Sequence, residues 1–483
     1  VTPSIEDLRS LPRDAAVVTD VAFEACAIRR AWPGRVVYVG YEPVPESIVR
    51  VATLDELERG WSWITRRNPA AMVISPADNL RALVNRMVSQ VATNNDLGQR
   101  RGRRWVTNML ANLHLLTERA CLGRAAQRPL EGVPAIIMGA GPSLDATDLR
   151  SKGLVIAVNA ATRAAPHDLS FTIESNDITA KFAPGEEAIV AIQTHPANVP
   201  HGRVWPILTG EIARCVETLT GRCRVSGSGS GSTAALVLAE RMGCDPLILV
   251  GQDLALTGGR MYSEHTGFGD VTATRDGAVM RYDWASCARM PRPETPLPET
   301  DELVTARGVD GGEVQTIPLF AAVARWLATV PARTKARCLN ATAAGLHIDG
   351  WARVSAADLP DVAKARIPHT RAPVSEAELR RWRGAVAASV ERAALAARLL
   401  RIECHTLNHD AIDAATARLL AAARTAPLLD PWVQAQVAQI MGPRREQPPG
   451  HARAEAKLAI RTTMRLAETI ERAAEELTSA IRG

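Results

Sequence analysis

Aromatic side chains are scarce in this chain: five Phe, four Tyr and ten Trp make up only 4% of its 483 residues. Its cores must therefore be filled by Ala, Val, Leu and Ile. No apolar run reaches the roughly 20 residues a membrane-spanning helix requires, and the start of the chain lacks the charged-then-apolar pattern of a secretory leader. The eight cysteines are scattered without a Cys-x-x-Cys pair. Neither a disulfide framework nor a cysteine-built zinc site is indicated, and reduced thiols suit the cytoplasm. A net charge of +5 is small for this length and requires no nucleic-acid partner.

Two nucleotide signatures are missing from the segment where they would be sought. Val133-Pro-Ala-Ile-Ile-Met-Gly-Ala-Gly-Pro-Ser-Leu144 is an apolar run that ends in a glycine turn and should lead into a helix. It has no Gly-Lys-Ser/Thr ending, so it is not a P-loop. A dinucleotide fingerprint would put glycine at Leu144 and an acid at the end of the next strand, where Asn159 stands. What remains is a turn in which Gly139 and Gly141 admit main-chain N–H groups to an anion and Ser143 adds a hydroxyl. The plainer alternative is a strand-to-helix turn whose glycines serve geometry alone.

A second glycine-rich turn lies downstream. Ser226-Gly-Ser-Gly-Ser-Gly-Ser-Thr233 has the composition of a linker, yet it runs directly into the helical segment Ala234–Gly243, so that Ser232 or Thr233 reads as the N-cap. The apolar strand Pro246–Val250 then ends in Gly251, Gln252 and Asp253. In open α/β sheets ligands collect at the C-terminal ends of such strands. Asp253 either touches a ligand or caps the neighbouring turn.

These features together resemble a known family. The loop Gly139–Leu144, Asn159 at a strand end, the Gly-Ser turn, Val250-Gly-Gln-Asp-Leu254 with Thr257-Gly-Gly259, and Asn340-Ala-Thr342 with Ile348-Asp-Gly350 resemble the Maf family of motility accessory factors. The central segment is also similar to the MptE-like 6-hydroxymethylpterin pyrophosphokinases, and the glycine loop to bacterial sialyltransferases that use CMP-sialic acid. The resemblance covers residues from about 105 to 352. It implies a cytoplasmic glycosyltransferase that moves a nonulosonic acid of pseudaminic or legionaminic type from a CMP-sugar to Ser or Thr of flagellin.

On that reading Gly139, Gly141 and Ser143 hold phosphate or ribose, Asn159 holds the nucleotide, and Ser230, Gly231, Ser232 and Thr233 line the opposite wall. Catalytic candidates are His265, Asp253 and Glu174. A neutral imidazole at His265 can accept the proton of an acceptor hydroxyl. The family carries Asp where Glu174 stands, and Glu-Gly where this chain has Ala343 and Ala344. No cofactor is required, because CMP leaves as a monophosphate. Magnesium on Glu174, Asp177 and Asp253 stays open. The rival readings are an ATP- and magnesium-dependent pterin pyrophosphokinase, and a non-catalytic nucleotide-binding scaffold or chaperone for flagellin.

The expected architecture is α/β. Residues 1–95 form a small α/β domain, 96–355 a Rossmann-like, sialyltransferase-like parallel sheet covered by helices on both faces, and 356–483 a helical region. Parallel strands are expected near Val155–Val158, Phe171–Glu174, Ala188–Ile192 and Leu247–Val250. Gln99-Arg-Arg-Gly-Arg-Arg104 reads as a solvated junction, and Asn108 and Asn112 share one helix face, either near the nucleotide or bonded within the fold. Thr266–Ala306, with prolines at 291, 293, 296 and 298, reads as a long loop, either a lid or an acceptor surface. A helix resumes over Thr316–Val330 with Trp326 on its buried face.

Overall fold

The computed structural model describes, beyond the first hundred residues, 102–122, 128–178, 182–210, 212–220, 224–225, 230–277, 279–283, 300–367, 374–406, 409–424, a few positions between 426 and 429, and 452–482. In the first hundred it describes four strands and short stretches around them. The expected boundary at 95, Ser226–Gly229 of the Gly-Ser turn and the proline-rich stretch 291–298 lie outside the described residues. The chain divides into two compact units, 1–100 and 101–483.

In the first unit β1 (Ala16–Thr19), β2 (Arg35–Val39), β3 (Val49–Val51) and β4 (Ala71–Ile74) form a parallel sheet in the order β3-β2-β1-β4. Val17, Val36 and Tyr38 are buried against Ala25 and Ile28. The α/β character expected there is present.

The second unit is built on a nine-stranded parallel sheet. Its strands are β5 (Ala135–Met138), β6 (Leu154–Val158), β7 (Leu169–Thr172), β8 (Glu187–Ala191), β9 (Arg203–Thr209), β10 (Arg224–Val225), β11 (Leu247–Val250), β17 (Cys338–Asn340) and β18 (Ala352–Arg353). Their order is β10-β9-β8-β7-β6-β5-β11-β17-β18. The central strands are apolar at every position because both faces are covered. Alternation divides their side chains between two cores. Ala135, Ile137, Leu154, Ile156, Leu247 and Leu249 face one side, and Ile136, Met138, Val155, Ala157, Ile248 and Val250 the other.

Helices cover the first of these faces. Over the central strands the second is covered mainly by loop residues such as Leu144, Leu149, Ala164, Ala165 and Leu359, whereas at β8 and β9 Leu115 of the helix Leu115–Glu118 packs on Ala188, Val190 and Val204 of the same face. The expectation of helices on both faces therefore holds at β8 and β9 and is corrected over β5, β6 and β11. After β5 the chain runs through turns to β6 without a helix, and after β6 and β8 it makes only the 3-10 turns Asn159–Arg163 and Pro196–Asn198. Pro142 followed by the Asp- and Ser-containing stretch 143–151 favours side-chain-to-backbone turns over helix; Asp145 and Asp148 accept N–H groups two residues on.

The helices begin with α1 (102–112), α2 (Leu115–Glu118), α3 (Glu217–Thr220) and α4 (Gly231–Arg241). They continue with α5 (Pro318–Ala328), α6 (Glu376–Thr406), α7 (His409–Arg424) and α8 (Ala452–Arg482). The C-terminal helices share one apolar cluster with α1 and the strand ends Ile192 and Leu208. They therefore sit within the second unit. Trp326 is half-buried, packed at the edge of the core, with the Arg333 guanidinium 4.7 Å from its ring centroid.

The stretch expected as one long loop contains regular structure. β12 (Thr272–Asp276), β13 (Val279–Asp283) and β14 (Thr300–Glu302) form an antiparallel sheet, and β15 (Val304–Arg307) pairs with β16 (Glu313–Thr316). Ala273, Met280 and Tyr282 give this subdomain a small core with Met261 and Ile317. The alternation is short, most of its outward positions are polar and Val279 also faces outward, which obscures it in the sequence.

Candidate functional site at the C-terminal edge of the sheet

Strand order reverses at β5, with β6 on one side and β11 on the other. The turns after β5 and β11 therefore meet at the switch point of the sheet. They are bonded along their length: the Gly139 N–H donates to Val250 O and the Gly141 N–H to Gly251 O, both at 2.8 Å. Neither glycine has a positive φ, so their backbone angles do not require glycine. Close approach does. A Cβ on Gly139 would lie 2.6 Å from Gly251 O and would overlap the Gln252 carboxamide, and one on Gly141 would lie 2.7 Å from the same carbonyl and overlap Asp253 Oδ1.

Asp253 is 1% exposed. Its Oδ2 accepts the Ser143 N–H at 3.0 Å and the Thr257 hydroxyl at 3.0 Å, and its Oδ1 accepts the Ser143 hydroxyl at 2.7 Å. Burial raises its pKa above the ordinary carboxylate value, and the three donors oppose that shift. The carboxylate ties the glycine loop to the strand end. The Asp253 carbonyl also accepts the Leu346 N–H at 2.8 Å. Gly345, at φ 102°, passes so close to Asp253 that a Cβ would lie 2.6 Å from its carbonyl carbon. Thr342 completes this junction, since its hydroxyl accepts the Gln252 N–H at 3.1 Å and its own N–H donates to Asn340 Oδ1 at 3.0 Å.

On the other side of β5 the edge is formed by the ends of β6 and β7 and the start of α4. Asn159 ends β6 in the left-handed region at φ 47°, which Asn tolerates better than most residues, and its buried Oδ1 has no hydrogen-bond partner. Helix α4 begins beside it. A Cβ on Gly231 would stand 2.7 Å from Val158 Cγ1, 3.7 Å from Asn159 Nδ2 and 3.8 Å from Ile173 Cγ1, so glycine lets the first turn press against β6 and β7. The N-cap is Ser230 rather than Ser232 or Thr233, and it makes no side-chain cap. Ser232 and Thr233 are buried in the first turn, and the Thr233 hydroxyl donates back to Ser230 O at 2.8 Å. The leading N–H groups of such a helix lack intrahelical acceptors and carry its positive pole.

Glu174 follows β7 and is half-buried. Its Oε1 accepts both the N–H and the side-chain amide of Asn176 at 2.9 Å, and Asn176 Oδ1 accepts from Arg104 on α1. Asp177 is exposed. Asn108 Nδ2 donates to the carbonyls of Ser175 and Gln193 at 3.0 and 3.1 Å, and Asn112 Nδ2 to those of Ile192 and Thr194 at 3.0 and 2.7 Å. The pair therefore bonds within the fold, holding α1 along the ends of β7 and β8.

His265 lies on a segment fastened to the glycine loop. The Ser263 N–H donates to Ala140 O at 2.9 Å and its hydroxyl to Leu144 O at 2.7 Å. The imidazole, 42% exposed, has Glu264 as its nearest carboxylate at 3.8 Å. Ser263, Gln252, Thr342 and Gly345 shape this edge without having been singled out as site residues. Gln252 and Thr342 belong to the Gly-Gln-Asp and Asn-Ala-Thr motifs, which was the signal that could have marked them. Among the described residues no three His, Cys, Asp or Glu side chains gather as a metal-binding set.

A parallel sheet with the switch point at β5, a glycine turn pressed against a Gly-Gln-Asp strand end, and a helix opening beside Asn159 defines a Rossmann-like α/β domain. Residues 107–259 match the family described as 6-hydroxymethylpterin diphosphokinase MptE-like, so the chain carries an MptE-like domain over the segment that holds these turns. A solved structure, that of the MAf glycosyltransferase from Magnetospirillum magneticum AMB-1, is similar at 13% sequence identity and a TM-score of 0.49, over 97% of this chain and 79% of that one. No curated protein sequence matches the chain. Among the described residues no helix is long and apolar enough to cross a membrane.

Proposed function

We propose that this protein is a glycosyltransferase that moves a nonulosonic acid from a CMP-sugar to a Ser or Thr hydroxyl of flagellin. The observation that carries this reading is the opening of α4 beside Asn159 and Ile173 at the C-terminal edge of the sheet. The first N–H groups of the helix, from Gly231 to Thr233, form an anion cradle for the phosphate of the CMP leaving group. Preorganised N–H dipoles stabilise charge as it develops on that phosphate while the anomeric carbon passes through an oxocarbenium-like state. The buried, unpartnered Asn159 Oδ1 is an acceptor for the nucleoside. Gly139, Gly141 and Ser143 form the floor, with both Ser143 donors engaged by Asp253. Ser143 thus supports the cradle through its position.

In this scheme Asp253 positions the loop and does not touch the substrate. His265 accepts the proton of the acceptor hydroxyl, because its segment is tied to the loop by Ser263 and its ring is accessible. Glu174, braced by Asn176, faces the same strand ends as a hydroxyl acceptor for the sugar. The assay is transfer from a CMP-nonulosonate to purified flagellin. His265→Ala should lower turnover and leave donor affinity unchanged; full activity in that variant would remove His265 as the base.

The match of residues 107–259 to a diphosphokinase family favours a second reading, pyrophosphoryl transfer from ATP to a hydroxymethyl pterin. That chemistry needs magnesium on a polyphosphate. Turnover of ATP with the pterin and magnesium, alongside silence with CMP-sugars, would select it.

A further inference from the structure

The opposite edge of the same sheet carries a second site. A cavity of about 710 Å³ opens where β6, β7, β8 and β9 begin, at Leu154, Leu169, Glu187 and Arg203. Its volume falls in the range of small-molecule sites, roughly 300–1,000 Å³. The strands separate it from the edge discussed above, so it is not part of the proposed donor site.

Three guanidinium groups reach this cavity, each held by a fixed partner. Asp148 grips Arg150 along one edge, with Nε–Oδ1 at 2.9 Å and Nη2–Oδ2 at 2.6 Å. Arg203 is paired with Glu187. Arg119 lies over the Trp205 ring, 5.2 Å from its centroid. Guanidinium groups fixed in this way lose little freedom when they bind an anion through two parallel N–H groups. Two more cations come from the segment 361–367. It is tied to the sheet by the Val362 N–H donating to Ser151 O at 2.8 Å, by Lys152–Asp361 at 3.0 Å and by Lys364–Asp168 at 3.4 Å. That segment delivers Lys364 and the exposed Arg366 to the rim.

Carboxylates are also present, and they narrow the ligand class. Glu187 and Asp168 are engaged by Arg203 and Lys364, while Glu186 lines the cavity with no ion pair to any of the described residues. A bare polyanion would meet repulsion from these acids. A polyhydroxylated molecule with a single acidic group would use both kinds of residue, its acid on the arginines and its hydroxyls on the glutamates. We propose that this cavity binds an anionic carbohydrate, a sugar carrying one phosphate or one carboxylate, at the edge remote from the glycine turns. The proposal does not depend on the reaction assigned above.

Calorimetric titration of the full chain with glucose 6-phosphate, gluconate, glucose and inorganic phosphate tests it. Binding of glucose 6-phosphate or gluconate is expected, with neutral glucose and bare phosphate each at least about tenfold weaker, because each loses half of the contacts. Whether the phosphorylated or the carboxylated sugar binds tells which acid the arginines read. Arg150→Ala and Arg366→Ala alter exposed side chains and should each weaken that binding by about tenfold, while circular dichroism and CMP affinity stay unchanged. Silence with both anionic sugars, or binding that neither substitution weakens, would overturn the proposal. Loss of CMP binding alone would count against the donor site and leave this one standing.

Discussion

Removing the Asp253 carboxylate should unfasten the glycine loop, and the size of the effect follows from its three hydrogen bonds. Asp253→Ala leaves the Ser143 N–H and the Ser143 and Thr257 hydroxyls without their acceptor. Both hydroxyls can rotate toward other acceptors, but the N–H cannot, and a buried donor left without a partner costs about 1–3 kcal/mol. With part of the hydroxyl bonds lost as well, the expected destabilisation is about 2–4 kcal/mol. Asp253→Asn should recover most of it. Its oxygen can replace Oδ2, and its NH₂ can donate to the Ser143 hydroxyl, leaving a loss of about 1 kcal/mol.

A pH signature accompanies this series. The folded-state pKa of Asp253 is raised above its ordinary value of 3.8 by burial, so the native state binds the proton more tightly than the unfolded chain. The contribution of this group to stability is therefore greatest at acid pH and declines as pH rises from 3.8 through the raised value. Asparagine does not titrate, so the gap between wild type and Asp253→Asn should narrow over the same interval. Urea unfolding followed by tryptophan fluorescence reads both effects. A loss below about 0.5 kcal/mol for the Ala variant, the level of an ordinary surface substitution, would refute the reasoning.

Other substitutions probe neighbouring parts of the account. Gly141→Ala should cost about 1–3 kcal/mol in the same unfolding assay, because its Cβ would lie 2.7 Å from Gly251 O although its φ is open to alanine; a neutral result would mean that the two turns are not pressed together. Asn112→Ala withdraws the amide from the Ile192 and Thr194 carbonyls and should destabilise α1 by about 1–3 kcal/mol, seen as faster amide exchange along 102–112. Arg150 holds Asp148 down to a pKa of about 2, so this exposed pair contributes a small stabilisation that is complete above 3.8 and is lost as pH falls through about 2. An NMR titration in which Asp148 remains at the ordinary value would contradict that pairing.

The strands of the second unit were legible because a parallel sheet buried on both faces writes itself as unbroken apolar runs: Ala135–Met138, Leu154–Val158 and Leu247–Val250 fall where those runs lie. Helix α4 was legible from its compact apolar stretch and glycine stop. The absence of a helix after β5 was not, because Pro142 and Ser143 suit a helix start as well as a turn, and Asp253, 110 residues away, selects the turn by taking both Ser143 donors. Likewise, the purpose of Gly139 and Gly141 depends on the approach of Gly251, which local sequence does not encode. The antiparallel β12–β14 subdomain escaped because its inward residues, Ala273, Met280 and Tyr282, are few and lie among polar neighbours. Of the candidate site, sequence identified the turns and strand ends. It could not distinguish residues that bond to one another, such as Ser143 and Asp253, from a residue such as Asn159, whose buried acceptor has no partner in the fold.

The central claim, that the edge formed by Asn159 and the first turn of α4 holds the nucleotide of a CMP-sugar, is tested most directly by calorimetric titration of CMP into wild type and Asn159→Gly. Glycine accepts the φ of 47° at that position and removes the side chain with its carboxamide. The account predicts that CMP binds to the wild-type chain and that the substitution weakens it by about tenfold. Failure of CMP to bind, or equal affinity in both proteins, would contradict it, and magnesium-dependent ATP binding in its place would transfer the site to pyrophosphoryl chemistry.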